Sequence, residues 1–138
     1  RASLASGLDD YVTHANDEII CLVMIETAKA LDNVEDIATA PGIDGLYIGP
    51  SDLSLDMGIS LSSWPNDPRH IAASERVIRA SRQAGVVPCH HGLGPDEAVT
   101  LMKMGFMLSQ IANDVRTISA STAAGFRAFR EAIQRDGV

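Results

Sequence analysis

Glu26 and Asp52 are the residues whose types and spacing point most directly to chemistry. They lie 26 positions apart, about one βα repeat, and each follows an apolar run. Neighbouring parallel strands lie about 4.8 Å apart, and ligands collect at their carboxyl ends. Two carboxylates placed there can share one cation. Hard oxygen donors with no cysteine beside them suit Mg²⁺ or Mn²⁺ better than Zn²⁺. The same spacing also admits a Glu26 that caps a helix and an Asp52 that shapes a turn. A second constellation is Gly49-Pro50-Ser51-Asp52-Leu53-Ser54. Gly permits close backbone approach and Pro fixes a turn. The N–H groups of Ser51 and Asp52 would then be free to hold a carboxylate, as backbone nests do. An ordinary surface loop has the same composition.

The elements that must position these residues alternate. Residues 19–25 (IICLVMI) form a continuous apolar run, the pattern of a strand covered on both faces. Residues 27–40 carry apolar side chains at helical spacing and end at Pro41-Gly42. A second strand is expected over 43–48, then a long loop over 49–64. A helix over 69–84 stops at Gly85. A short strand over 86–90 contains Pro88. A helix follows from Pro95 to Met104, then a strand over 106–112. Asp114 is expected to cap a last helix reaching about Arg135, with Ile118, Phe126, Phe129 and Ile133 on its apolar face. A short helix over 8–16 precedes the first strand. Four successive βα units imply a parallel sheet with right-handed crossovers. An open four-stranded sheet would leave two raw edges, whereas eight strands close on themselves. The expected fold is therefore α/β, half of a (β/α)8 TIM barrel, occupying residues 1–138 as one domain. No Gly-rich dinucleotide turn follows the first strand.

The bulk numbers agree. A chain of 138 residues, 46% hydrophobic and 21% charged, has an ordinary globular balance. A net charge of -7 disfavours nucleic acid and anionic membrane as partners. The apolar runs fall far short of the roughly 20 residues that cross a bilayer. Cys21 and Cys89 both sit in apolar runs and read as buried thiols of a cytoplasmic protein. A start at Arg1 instead of Met suggests a piece of a longer chain.

The stretches Val23-Met24-Ile25-Glu26-Thr27 and 42–58 (GIDGLYIGPSDLSLDMG) closely resemble the HpcH/HpaI aldolase family. These are 2-keto-3-deoxy sugar acid and 4-hydroxy-2-oxo-acid aldolases of the phosphoenolpyruvate/pyruvate barrel superfamily. The resemblance extends more loosely to 85–88 and 106–114. It covers only the C-terminal half of a family member, strands five to eight. It implies a class II aldolase that cleaves a 4-hydroxy-2-oxo acid to pyruvate and an aldehyde. It implies that Glu26 and Asp52 hold a divalent metal (Mg, Mn or Co) and that the backbone at Gly49, Pro50, Ser51 and Asp52 receives the pyruvate carboxylate. Family members also use an Arg and a His from the N-terminal half, so no catalytic proton-transfer group is expected here. It further implies a multimer, in which the helix from Asp114 docks on a neighbour, or a pairing with the missing half-barrel.

Two departures from the family pattern stand out. Met24 replaces a common Gln. The seventh-strand segment, usually apolar, reads Pro88-Cys89-His90-His91-Gly92. His90 and His91 are candidates for metal or proton-transfer roles, with His91 placed among the substrate-binding residues. A hydrogen-bonded strand-end histidine is the simpler reading of both. His14 and His70 read as exposed helical residues, Met102, Met104 and Met107 as core filling, and Arg116 as a surface helix residue. Two other functional readings fit the sequence: a citrate lyase β-subunit or malyl-CoA lyase type of enzyme, and a catalytically incomplete metal-binding or assembly module.

Overall fold

The computed structural model describes residues 8–137. Helix α1 (Leu8–Glu18) leads into strand β1 (Leu22–Ile25), two short helices α2 (Ala28–Asp32) and α3 (Val34–Ala38), and strand β2 (Gly45–Ile48). Helix α4 (Pro50–Asp56) and a 3₁₀ turn (Trp64–Asn66) precede the long helix α5 (Pro68–Ala84) and strand β3 (Val87–His90). Helix α6 (Pro95–Met104), strand β4 (Leu108–Ser109) and helix α7 (Asp114–Asp136) complete the order. The four strands form one parallel sheet in sequence order, as the alternating pattern predicts.

The register sorts side chains onto two faces, because successive residues of a strand point to opposite sides. Ile25, Ile48, His90 and Ser109 make one row, and Met24, Tyr47, Cys89 and Leu108 the adjacent one. The first row faces the helices. There Ile25, Leu46 and Ile48 meet Val34, Leu53, Val77, Ile78, Leu101 and Phe106 in the core. Burying each of the larger aliphatic side chains contributes about 1.5–3 kcal/mol. The second row lies on the uncovered face, where Met24 and Leu108 are exposed.

Helix α5 shows why its residues choose their shape. Asp67 caps it by accepting from the Arg69 N–H at 2.9 Å, Pro68 occupies the first turn, and Gly85 closes it at φ 76°. Its inner stripe, from His70 through Ala73, Ser74, Val77 and Ile78 to Ser81, is buried.

Several expectations are corrected. The segment 49–64 is not one loop, since α4 starts at Pro50, a residue preorganised for a first helical turn. The helix over 27–40 is split at Asn33, whose side-chain amide donates to the Lys29 carbonyl and closes α2. The outer strands are shorter than their apolar runs: Ile19 and Ile20 are exposed, as are Met107 and Ile111. Cys21 is exposed, and only Cys89 is buried. Met102 and Met104 also lie at the surface, so the three methionines do not fill the core. Asn113, not Asp114, caps α7, its side chain accepting from the Arg116 N–H at 2.8 Å. His70 is buried, only 3% exposed, against the 3₁₀ turn. His14 is exposed as read. Arg116 is exposed, and its guanidinium donates to the Leu93 carbonyl. Helix α7 buries none of its 23 residues, and Ile118, Phe126 and Phe129 are exposed. No described helix is long and apolar enough to cross a membrane.

Candidate active site

Glu26, Gly49 and His91 each stand one residue past a strand end, two residues after Met24, Tyr47 and Cys89. The ladder continues to them, because the Gly49 N–H donates to the Ile25 carbonyl at 3.2 Å and the His91 N–H to that of Ile48 at 3.1 Å. All three therefore open on the uncovered face at the carboxyl edge of the sheet. Asp52 follows on the first turn of α4 and shares a concavity with Glu26, Thr27, Leu55 and Asp56. A second concavity, lined by Met24, Tyr47, Gly49, Pro50, Ser51, Asp52 and His91, meets the first at Asp52. The structure thus brings Glu26, Gly49, Pro50, Ser51, Asp52 and His91 into two adjoining hollows.

The alternative roles for the two acids are filled by others. Thr27, not Glu26, caps α2, its hydroxyl accepting from the Ala30 N–H at 3.0 Å. Asp52 lies inside a helix and not in a turn. Neither carboxylate makes a hydrogen bond or ion pair with a described residue. Nearby acids are engaged: Asp44 accepts from the Cys21 N–H and Asp56 from the Ala28 N–H. Asp56 lies one helical turn beyond Asp52, so this bond braces α4 against the segment just after Glu26. The brace is invisible in the sequence unless 50–56 is read as a helix.

Gly49 is required by space. A Cβ there would stand 3.1 Å from both the Cβ and Oε2 of Glu26 and 3.4 Å from the Met24 sulfur. Gly49→Ala should displace the Glu26 carboxylate by a few tenths of an ångström and weaken Mn²⁺ binding by about 10-fold, a typical cost of disturbing a ligand's support. Calorimetric titration checks this, and unchanged affinity would refute the packing role.

The backbone at the start of α4 has donors to spare. Pro50 has no N–H, and the first donor to close the helix is Leu53, bonded to the Gly49 carbonyl at 3.0 Å. The N–H groups of Ser51 and Asp52 precede it in the first turn, where intrahelical partners are lacking.

Tyr47 was not anticipated. Its hydroxyl lies 3.0 Å from His91 Nδ1, with the rings edge to face. Burial, and to a lesser extent the nearby Cys89, raises the phenol above its ordinary value. His91 is thus a hydrogen-bonded residue at a strand end that also lines the site. His90 points the other way, into the helix-covered layer. Its Nδ1–H donates to the His91 carbonyl at 2.8 Å, and it is 1% exposed.

Glu26 and Asp52 offer oxygen donors only, a set that fits Mg²⁺ or Mn²⁺. Among the described residues no group of three or more His, Cys, Asp or Glu is arranged around a common metal position.

Comparison with known proteins gives these hollows their context. Over 126 residues the chain is 34% identical to a hydroxypyruvate/pyruvate aldolase of Deinococcus radiodurans, covering 88% of this chain and 46% of that protein. Over 88 residues it is 46% identical to a 4-hydroxy-2-oxo-heptane-1,7-dioate aldolase of Klebsiella pneumoniae, covering 64% and 32%. An HpcH/HpaI aldolase/citrate lyase family protein of Burkholderia cenocepacia superposes with a TM-score of 0.77 at 30% identity, over 94% of this chain and 50% of that one. The chain spans less than half the length of these two curated relatives. Its four strands correspond to about half of each TIM-barrel neighbour. The HpcH/HpaI aldolase/citrate lyase pattern matches residues 3–121, a span that includes Glu26, Gly49 to Asp52 and His91, and the chain belongs to that family.

Proposed function

We propose that this chain supplies the metal- and pyruvate-binding half of a class II aldolase, which cleaves a 4-hydroxy-2-oxo acid to pyruvate and an aldehyde. One observation carries the reading: two unengaged carboxylates, Glu26 and Asp52, share one hollow at the carboxyl ends of adjacent parallel strands. Neither hollow has a Lys or Arg in its lining, so an anionic oxo acid would meet only negative charge there without a cation. Mg²⁺ is commonly held by one or two carboxylates, with water and substrate completing its shell. When bound, the cation supplies Lewis acidity at the keto oxygen. The N–H groups of Ser51 and Asp52 receive the substrate carboxylate and fix its orientation, while Asp56 holds α4 in place. In the cleavage the C3–C4 bond breaks and its electron pair stays on C3. The C4 hydroxyl loses its proton to become the aldehyde, and C3 gains a proton to give pyruvate. Groups for these proton transfers belong to the four further βα units.

Those units are needed on physical grounds as well. The uncovered sheet face, the unpaired outer edges and the bare apolar side of α7 suit a partner half-barrel and a homo-oligomer. Substituting both Phe126 and Phe129 by Asp should lower the oligomeric mass seen by light scattering, and an unchanged mass would remove α7 from the interface. The free cysteines suit a reducing, cytoplasmic setting. The pyruvate-type reading is preferred over a citrate-type one because the relatives at 34% and 46% identity bear aldolase names. The test is pyruvate release from a 4-hydroxy-2-oxo acid by the assembled barrel. EDTA should abolish it and Mn²⁺ restore it, whereas release that persists in chelator would overturn the metal assignment.

A further inference from the structure

We propose that Tyr47 and His91 form a specificity-determining pair, in which the phenol locks the imidazole so that its Nε2–H donates to a hydroxyl on a substrate carbon next to the reacting centre. The inference rests on the aldolase reading and deepens it.

The geometry supplies each part. Tyr47 Oη and His91 Nδ1 are 3.0 Å apart, and both side chains line the hollow that contains Asp52. The His91 backbone is pinned to β2 through its bond to the Ile48 carbonyl. Nδ1 is taken by the phenol, and Nε2 has no partner among the described residues. We assign the phenol as the donor to Nδ1, one of the two tautomeric arrangements that this contact admits. A neutral imidazole that accepts at one nitrogen carries its proton on the other. The result is an oriented donor in the hollow that contains Asp52. Met24, the other long side chain in this hollow, offers only a weak sulfur acceptor. A donor placed in a site favours ligands with an oxygen to meet it and penalises analogues that leave it unpaired.

The hydroxyl has two chemical sources, the oxo-acid donor or the aldehyde acceptor, and the test separates them. One arm compares hydroxypyruvate with pyruvate as nucleophile toward a fixed aldehyde. The other compares glycolaldehyde with acetaldehyde as acceptor for pyruvate. Both use the assembled Mn²⁺-loaded protein, with kcat and KM read separately. In one arm the wild type should prefer the hydroxylated compound by about 10-fold, the worth of one neutral hydrogen bond. His91→Leu should abolish that preference, and His91→Gln, which restores an N–H donor, should recover part of it. Tyr47→Phe should raise KM for the hydroxylated compound several-fold more than it raises KM for the deoxy compound. Exchange of the pyruvate methyl protons in D₂O by the wild-type protein shows that the assembled site is competent. A preference that is equal in wild type and His91→Leu in both arms overturns the pair and leaves the aldolase reading standing. Wild-type protein that neither exchanges these protons nor forms the aldol overturns both.

Discussion

Replacing Glu26 or Asp52 by alanine should reduce pyruvate formation by the assembled barrel about 1,000-fold, without unfolding the chain. The size follows from the role proposed. A cation facing a developing enolate contributes several kcal/mol, and about 4 kcal/mol corresponds to about 10³ in rate. The fold should tolerate either change, because neither carboxylate bonds to a described residue. Thr27 would still cap α2, and Asp56 would still brace α4. Mn²⁺ titration and steady-state kinetics on the same preparations, with circular dichroism as the fold control, check both halves of the expectation. Full turnover in either variant would remove that residue from the ligand set. Loss of helical signal along with activity would show that the acids are structural after all.

The second large effect lies on the opposite side of the sheet and concerns stability. His90 sits in a sealed layer with Trp64 and Phe106, and it faces His70 of α5. Glu97 of α6 lines the small cavity onto which His90, His70 and Trp64 open. Burial, the largest cause, drives the His90 imidazole from 6.5 down to about 4, and the neighbouring His70 is lowered for the same reason. The folded state thus keeps His90 neutral at a pH where the unfolded chain binds a proton. Stability from this group is fully present above about pH 6.5 and is lost as pH falls toward 4. The full interval is worth about 3 kcal/mol. Urea midpoints at pH 7.5 and 4.5 should therefore differ sharply for the wild type and much less for His90→Phe, which keeps an aromatic ring but cannot titrate. Partly buried Asp67 and exposed Glu35, lowered by bonds to Arg69 and Arg76, add acid sensitivity of the same sign. They are untouched by the substitution, so the difference between the two proteins isolates the imidazole. Equal slopes for both would reject the assignment.

What was legible in the sequence follows from what local chemistry controls. Pro95 and Gly105 bound α6, and Gly85 stops α5, because these residues act on their own backbone. The alternation of apolar runs with amphipathic stretches was enough for the parallel order. It was also enough to set Glu26 and Asp52 at neighbouring strand ends. Apolar character says that a residue favours burial but not against which chain. For that reason the apolar runs overstate the outer strands, and the methionine cluster suggests a core that excludes all three. His70 was misread for the converse reason. Nothing in its neighbours along the chain announces the Ser54 hydroxyl, 3.1 Å from its Nδ1, or the Trp64 ring across the turn. Tyr47 escaped notice because its partner lies 44 positions away and only the register of three strands joins them.

The placement of Trp64 has a practical corollary. It is the chain's one tryptophan, and its indole forms a triangle with two imidazoles, 4.9 Å from His70 and 5.9 Å from His90. It stands on the helical side of the sheet, while Tyr47 stands on the other. Indole fluorescence should therefore report loosening of the helix layer and acid quenching by the histidines, and stay silent when an oxo acid docks. Phenol emission is the colour channel to watch for ligand.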